Sequence, residues 1–116
     1  MKIKSVNTII YCEKWDQTIS FYRNVLRLPI TFSKDWFVEF QLTDNSRLSV
    51  ANEKQASLKS CYGQGLTISL EVEDIRAMRL RMKKSGLNPT VLKEIWGSKL
   101  FYIFDPEGNR IEFWSR

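Results

Sequence analysis

Hydrophobic periodicity divides the chain into strand-like and helix-like segments. The run of β-branched residues over residues 3–12 predicts a strand, and residues 15–27 then follow the helical period with one apolar face. This helix is expected to stop at Leu28-Pro29, because the residue before a proline avoids helical geometry. Three short strands are predicted next, at residues 30–33, 36–42 and 47–52.

The second half of the chain shows the same order of elements after a polar, glycine-containing stretch at residues 53–65. Residues 66–72 alternate as a strand, and Asp74 is a favourable N-cap for a helix that reaches Ser85, with Gly86 as its stop. Three more strands are predicted, at residues 89–95, 99–104 and 110–115.

The two halves can be aligned with each other. Asn7 corresponds to Thr67 at an offset of 60 residues, and Arg47 corresponds to Arg110 at an offset of 63. Such a repeat predicts an α+β fold of two tandem βαβββ modules, forming a curved eight-stranded mixed sheet around a groove with the helices on its outer face. We expect a single domain over residues 1–116, with module one at about 1–54, a linker at about 53–64 and module two at about 65–116.

Composition narrows the possible partners. Hydrophobic residues make up 43% and charged residues 27% of the 116 positions, as in ordinary globular proteins, and histidine is absent. No stretch predicts a membrane span or a signal peptide, so we expect a cytoplasmic protein with no membrane partner. A net charge of +5 favours neutral or anionic ligands. The basic run at residues 76–84 lacks interleaved aromatics, which argues against nucleic acid.

Three segments resemble one known family. Residues 16–26 are similar to the first-helix signature of the vicinal-oxygen-chelate superfamily, and residues 71–75 to its second strand-to-helix junction. Residues 104–113, FDPEGNRIEF, resemble its C-terminal signature. The superfamily includes glyoxalase I, extradiol dioxygenases, fosfomycin-resistance transferases and bleomycin-resistance binding proteins. The resemblance covers nearly the whole chain and implies the same fold, often as a homodimer.

The resemblance also implies where a metal would be bound. The metal enzymes of this family take ligands from four strand positions, which fall on Asn7, Ser49, Thr67 and Glu112. Those enzymes need at least one imidazole ligand, and one carboxylate, one amide and two hydroxyls do not make a tight zinc, iron or manganese site. We therefore expect no metal and no cofactor, although oxygen ligands leave a weak Mg²⁺ or Ca²⁺ site open.

Glu112 is the candidate with a specific chemical argument. The lack of histidine excludes Ser-His and Cys-His nucleophiles, so acid–base chemistry would need a carboxylate, a tyrosine or a lysine. Strand alternation places Glu112 on the groove side and Ile111 and Phe113 on the helix side. Glu112 is thus a candidate acid or base. The structural alternative is that its carboxylate accepts hydrogen bonds from Ser49 or Thr67.

Aromatic residues suggest ligand stacking. Trp96, Tyr102 and Trp114 lie on or beside predicted strands, and Trp114 shares the face of Glu112. Such side chains can stack on a planar ligand and form hydrogen bonds with its edge. Alternatively, they can pack in the core or form a dimer contact. The predicted ligand-binding residues are Asn7, Ser49, Thr67, Trp96, Tyr102, Glu112 and Trp114.

Three functions are compatible with these features. The first is a protein that lacks the metal site of the family and binds a small neutral or anionic molecule, with aromatic molecules included. The second is a metal-independent isomerase or lyase that uses Glu112. The third is a non-catalytic, homodimeric interaction module. The sequence leaves open whether the protein is an enzyme, while it argues against metal-dependent glyoxalase, dioxygenase or thiol-transferase activity.

Overall fold

The computed structural model describes residues 1–116 and contains the predicted eight strands and two helices. The elements are β1 Val6–Cys12, α1 Trp15–Ser20, a π-helical turn Phe21–Val25, β2 Ile30–Lys34, β3 Phe37–Thr43, β4 Ser46–Asn52, β5 Thr67–Glu71, α2 Ile75–Lys84, β6 Lys93–Ile95, β7 Ser98–Phe104 and β8 Arg110–Ser115. Neither helix is long and apolar enough to cross a membrane. The chain divides into two compact units, residues 1–62 and 63–116, which we call unit 1 and unit 2.

Each unit contains one four-stranded mixed sheet. The strand order is β1-β4-β3-β2 in unit 1 and β5-β8-β7-β6 in unit 2, and in both the first strand runs parallel to the last. Asn7 is paired with Arg47, and Thr67 is paired with Arg110. These two pairs occupy equivalent positions in the alignment of the two halves. The α+β fold is therefore confirmed, with its eight strands divided between two sheets.

Strand alternation separates a buried face from a polar face in each sheet. In unit 1, Leu48 and Val50 of β4 are buried together with Phe40, Phe21 and Tyr22. In unit 2, the paired residues Ile68, Ile111 and Ile103 are buried beside Phe101 and Phe113, and α2 contributes Ile75 and Met82. The buried faces thus carry the helices, and the opposite faces carry the polar residues of the same strands.

The largest differences from the predicted elements occur at three places. β1 begins at Val6 rather than Ile3, because its partner β4 begins at Ser46, opposite Val6. The first helix changes to a π-helical turn, which buries Phe21 beside Tyr22. The strand predicted over residues 89–95 is regular only at Lys93–Ile95. Before it, the Thr90 hydroxyl accepts a hydrogen bond from the backbone N–H of Tyr102 in place of a carbonyl.

Asp105 organises the turn between β7 and β8. Its Oδ1 accepts hydrogen bonds from the backbone N–H groups of Glu107 and Asn109, both at 2.9 Å, and its Oδ2 accepts one from the Asn109 side chain at 2.9 Å. All three side chains are buried. Residues 105–109 of the C-terminal signature therefore build the hairpin that places β8.

We predict that Asp105→Ala destabilises the protein by about 3 kcal/mol, because a buried carboxylate that accepts three hydrogen bonds is lost. Urea unfolding followed by circular dichroism measures this change. Asp44→Ala is the matched control, because Asp44 is an exposed turn aspartate, and the expected change is within about 0.5 kcal/mol. Equal effects of the two substitutions would contradict this role of Asp105.

We also predict a difference between two glycines that share a positive φ. Gly63 and Gly65 have φ of 78° and 73°, but a Cβ at Gly63 would overlap the Gly108 carbonyl, whereas a Cβ at Gly65 meets open space. Gly65→Ala should cost about 1 kcal/mol for backbone strain alone. Gly63→Ala should cost about 3 kcal/mol, because it adds the steric clash. Unfolding free energies that agree within error would contradict this close approach.

Candidate functional site

The polar face of unit 1 brings two of the predicted residues together. The Ser49 Oγ donates a hydrogen bond of 2.8 Å to the Asn7 Oδ1 across the parallel pair of β1 and β4. Ser49 is completely buried, while Asn7 is exposed. The hydroxyl and the amide oxygen at these two positions are thus occupied with each other.

Arg47 lies on the same face and is surrounded by protein acceptors. Its Nε is 3.6 Å from the Glu39 Oε1, and its Nη1 donates to the Thr43 carbonyl at 3.0 Å and to the carbonyls of Asp44 and Ser46 at 3.3 Å. Glu39 also accepts a hydrogen bond of 2.7 Å from the Thr31 hydroxyl. The charge of Arg47 is therefore paired with Glu39, and its Nη1 donates within unit 1.

Glu112 lies on the polar face of unit 2, as strand alternation predicts. It is half-buried between the buried residues Ile111 and Phe113. Its Oε1 accepts a hydrogen bond of 2.6 Å from the Ser69 hydroxyl. The predicted bond from Thr67 is not formed, because the parallel register pairs Glu112 with Ser69 and pairs Thr67 with Arg110.

Arg110 occupies the neighbouring position on this face. Its Nε donates a hydrogen bond of 2.9 Å to the Thr67 Oγ1, and its guanidinium carbon lies 4.4 Å from the ring centroid of Tyr102. No ion pair joins Arg110 to Glu112. The predicted residues Thr67 and Tyr102 therefore hold an arginine that the sequence analysis did not propose as a site residue.

The two predicted tryptophans of unit 2 occupy different environments. Trp114 is half-buried on the face of Glu112, and the Arg116 guanidinium lies 4.9 Å from its ring centroid. Trp96 is fully exposed in the β6–β7 turn, where Trp96 and Gly97 have φ of 52° and 77°. Two consecutive positive φ angles are typical of a type I′ hairpin turn. Unit 2 thus brings Trp114, but not Trp96, beside Glu112.

Each unit contains a surface pocket next to its polar face. The pocket of unit 2 has a volume of about 520 Å³ and is lined by Gly63, Gly65, Leu66, Thr67, Phe104, Gly108 and Arg110. The pocket of unit 1, of about 370 Å³, is lined by Ile9, Tyr11, Trp36, Phe37, Ala51, Gln55, Ala56 and Ser57. Both volumes lie in the range that small-molecule ligands occupy.

Ser69, Phe104 and Arg110 are the residues that the sequence analysis missed. Strand alternation alone would have found Arg110, because it lies two residues before Glu112 and therefore on the same face. The role of Ser69 depends on the register of a parallel strand pair, which the hydrophobic pattern does not encode. No group of three or more His, Cys, Asp or Glu side chains is arranged to hold a metal ion.

Comparison with known proteins identifies the family. The profile of the Glyoxalase-like domain matches residues 5–115. No curated protein sequence matches the chain significantly. Among solved structures, lactoylglutathione lyase from Agrobacterium tumefaciens is similar with a TM-score of 0.80 and 19% identity, over 95% of this chain and 91% of that chain.

Two further structures carry the broader superfamily name. A glyoxalase/bleomycin resistance protein/dioxygenase from Nocardioides is similar with a TM-score of 0.80 and 13% identity, over 99% of this chain and 83% of that chain. A superfamily member from Sphaerobacter thermophilus is similar with a TM-score of 0.78 and 18% identity, over 97% and 96% of the two chains. At these identities the structural likeness concerns the fold. By the match over residues 5–115, this chain belongs to the Glyoxalase-like domain family.

Proposed function

We propose that the protein binds a small neutral or anionic molecule on the polar face of unit 2. Aromatic compounds are included in this class of ligand. The observation that supports this function is a pair of polar contacts on one face. Ser69 is hydrogen-bonded to Glu112, and Arg110 is hydrogen-bonded to Thr67 and lies over the ring of Tyr102. Few convergent polar groups beside an apolar wall are typical of small-molecule sites. The proposed site residues are Thr67, Tyr102, Arg110, Glu112 and Trp114.

We further propose that binding does not use the divalent metal of the family. Within unit 2, a guanidinium cation donates to the Thr67 oxygen, and a cation at that position disfavours a metal ion beside it. Within unit 1, the Ser49 and Asn7 side chains bond each other. None of the four positions offers an imidazole or thiolate, so this donor set does not fit a transition metal.

A second candidate function rests on Glu112 itself. Its Oε1 is held by Ser69, while its Oε2 has no hydrogen-bond partner in the protein. A carboxylate with one fixed and one open oxygen is suited to accept or deliver a proton at a bound substrate. This arrangement favours the metal-independent isomerase or lyase as the alternative to pure binding.

The third candidate function rests on one edge strand of each sheet, β2 and β6. The edge strand β2 is exposed along its whole length and carries Ile30 and Phe32 at its surface, and the edge strand β6 is also exposed. Apolar edge strands favour contacts with other chains. A homodimer, with or without a ligand, stays a prediction that sedimentation of the purified protein can test.

The binding proposal predicts a response to a panel of neutral and anionic aromatic compounds. At a concentration of 100 times its dissociation constant, a ligand of the folded state should stabilise the protein by about 2.7 kcal/mol. Thermal unfolding measures this stabilisation. Amide NMR spectra should place the largest shifts at Thr67, Tyr102 and Trp114. If no compound stabilises the protein and none perturbs these amides, the proposed function is wrong.

Glu112→Gln distinguishes binding from catalysis. If the protein only binds, this variant keeps its ligands, and the affinity for an anion rises about two- to threefold because a nearby negative charge is removed. Isothermal titration calorimetry measures the affinity. Glu73→Gln is the matched control, since Glu73 is an exposed carboxylate of unit 2 that lies outside the strands. Substrate turnover that the wild type and Glu73→Gln show, but Glu112→Gln lacks, would instead establish the enzyme.

A further inference from the structure

We propose that Arg110 is the anion-recognising residue of unit 2 and that it binds the oxyanion of a small molecule with an apolar or aromatic skeleton. The ligand class is a carboxylate or phosphate attached to such a skeleton. This inference rests on the proposed function of the same face and deepens it, because it names the chemistry that selects the ligand.

The Arg110 side chain is held in one orientation before any ligand arrives. Its Nε is fixed by the Thr67 hydroxyl at 2.9 Å, and its guanidinium lies 4.4 Å from the Tyr102 ring centroid. A planar guanidinium that is stacked on a ring and bonded through Nε loses little further conformational freedom on binding. Thr67 and Tyr102 are thus positioning residues for Arg110.

The two terminal nitrogens of Arg110 are available to a ligand. Neither Nη1 nor Nη2 has a hydrogen-bond partner in the protein, and Arg110 is exposed. Glu112 does not neutralise Arg110, because its Oε1 accepts from Ser69 and no ion pair joins the two residues. A guanidinium with two open nitrogens is suited to a bidentate contact with carboxylate or phosphate oxygens.

The surroundings of Arg110 define the rest of the ligand. The pocket of about 520 Å³ contains Arg110 together with Gly65, where a Cβ would meet open space, so a ligand can approach the backbone there. Phe104, whose backbone pairs with Arg110, also lines this pocket and is 52% exposed. An oxyanion at the guanidinium would therefore carry its apolar part against Phe104 and Leu66.

Unit 1 provides an internal contrast at the equivalent position. Arg47 pairs with Asn7 as Arg110 pairs with Thr67. Arg47 lies 3.6 Å from the Glu39 carboxylate and donates to three backbone carbonyls. Its charge is paired with Glu39 and its Nη1 donates inside the protein, so the repeat contains one arginine with a carboxylate partner and one without an ion-pair partner.

The test is an NMR titration at constant ionic strength with benzoate, phenyl phosphate and benzamide as probes. Benzamide is the neutral, nearly isosteric counterpart of benzoate. We expect the two anions to shift the Arg110 Nε–Hε resonance and the amides of Gly63, Thr67 and Gly108, and benzamide to bind at least about tenfold more weakly. The stronger of the two anions identifies carboxylate or phosphate as the preferred group.

Four variants assign the effect to Arg110. Arg110→Gln should weaken binding of the anions about tenfold or more, and Arg110→Lys should also weaken it because the bidentate geometry is lost. Thr67→Val keeps the charge and the side-chain shape but removes the Nε acceptor, so a loss of severalfold is expected. Arg47→Gln removes the same charge from the equivalent position of unit 1 and should leave the anion affinity unchanged.

Three results would overturn the inference. If benzamide binds this face as tightly as benzoate, the proposed function stands but the recognition of an oxyanion is wrong. If Arg47→Gln weakens the anions as much as Arg110→Gln does, while Arg110→Lys and Thr67→Val leave the affinity unchanged, the selection is a general charge effect and not the work of Arg110. If no panel compound and no probe perturbs the face, the proposed function fails as well.

Discussion

The parallel pairing of the first and last strands is the constraint on which both units depend. A parallel pair needs a long crossover, here the helix and the two strands that follow it, and its register fixes which residues of the two strands become neighbours. On one face this pairing stacks Ile68 against Ile111 in the core of unit 2. On the other face it brings Ser69 to Glu112 and Thr67 to Arg110, so the core and the polar networks have the same geometric origin.

The same register gives different chemistry in the two units because the residue on the neighbouring antiparallel strand differs, Glu39 in unit 1 and Tyr102 in unit 2. Glu39 of β3 pairs with Ser49, and Tyr102 of β7 pairs with Glu112, so these two residues are equivalent neighbours of Arg47 and Arg110. A carboxylate at that position neutralises its arginine, whereas an aromatic ring supports the guanidinium and leaves the charge in place. This single difference between the repeats gives an internal ion pair in unit 1 and a guanidinium without an ion-pair partner in unit 2.

The sequence predicted the fold more completely than the site, for a physical reason. Periodicity and turn residues predicted the strands, the repeat and the side of the sheet on which Glu112 lies. These three features depend on local geometry. The π-helical turn that buries Phe21 and the hydroxyl of Thr90 that replaces a carbonyl depend on tertiary contacts. Ser69, rather than Thr67, contacts Glu112 because of strand register, which a single sequence does not encode.

Family membership and activity depend on different residues of this chain. In the C-terminal signature, Asp105 and Asn109 are buried and form the hairpin, so they report the architecture that the family shares. The polar residues that could contact a ligand lie on the strands that the hairpin places. These residues can change without loss of the fold, because they lie on the face opposite the core. The family signature therefore identifies the fold. The proposed function depends instead on the polar face of unit 2, where Glu112 is bonded to Ser69 and Arg110 is bonded to Thr67.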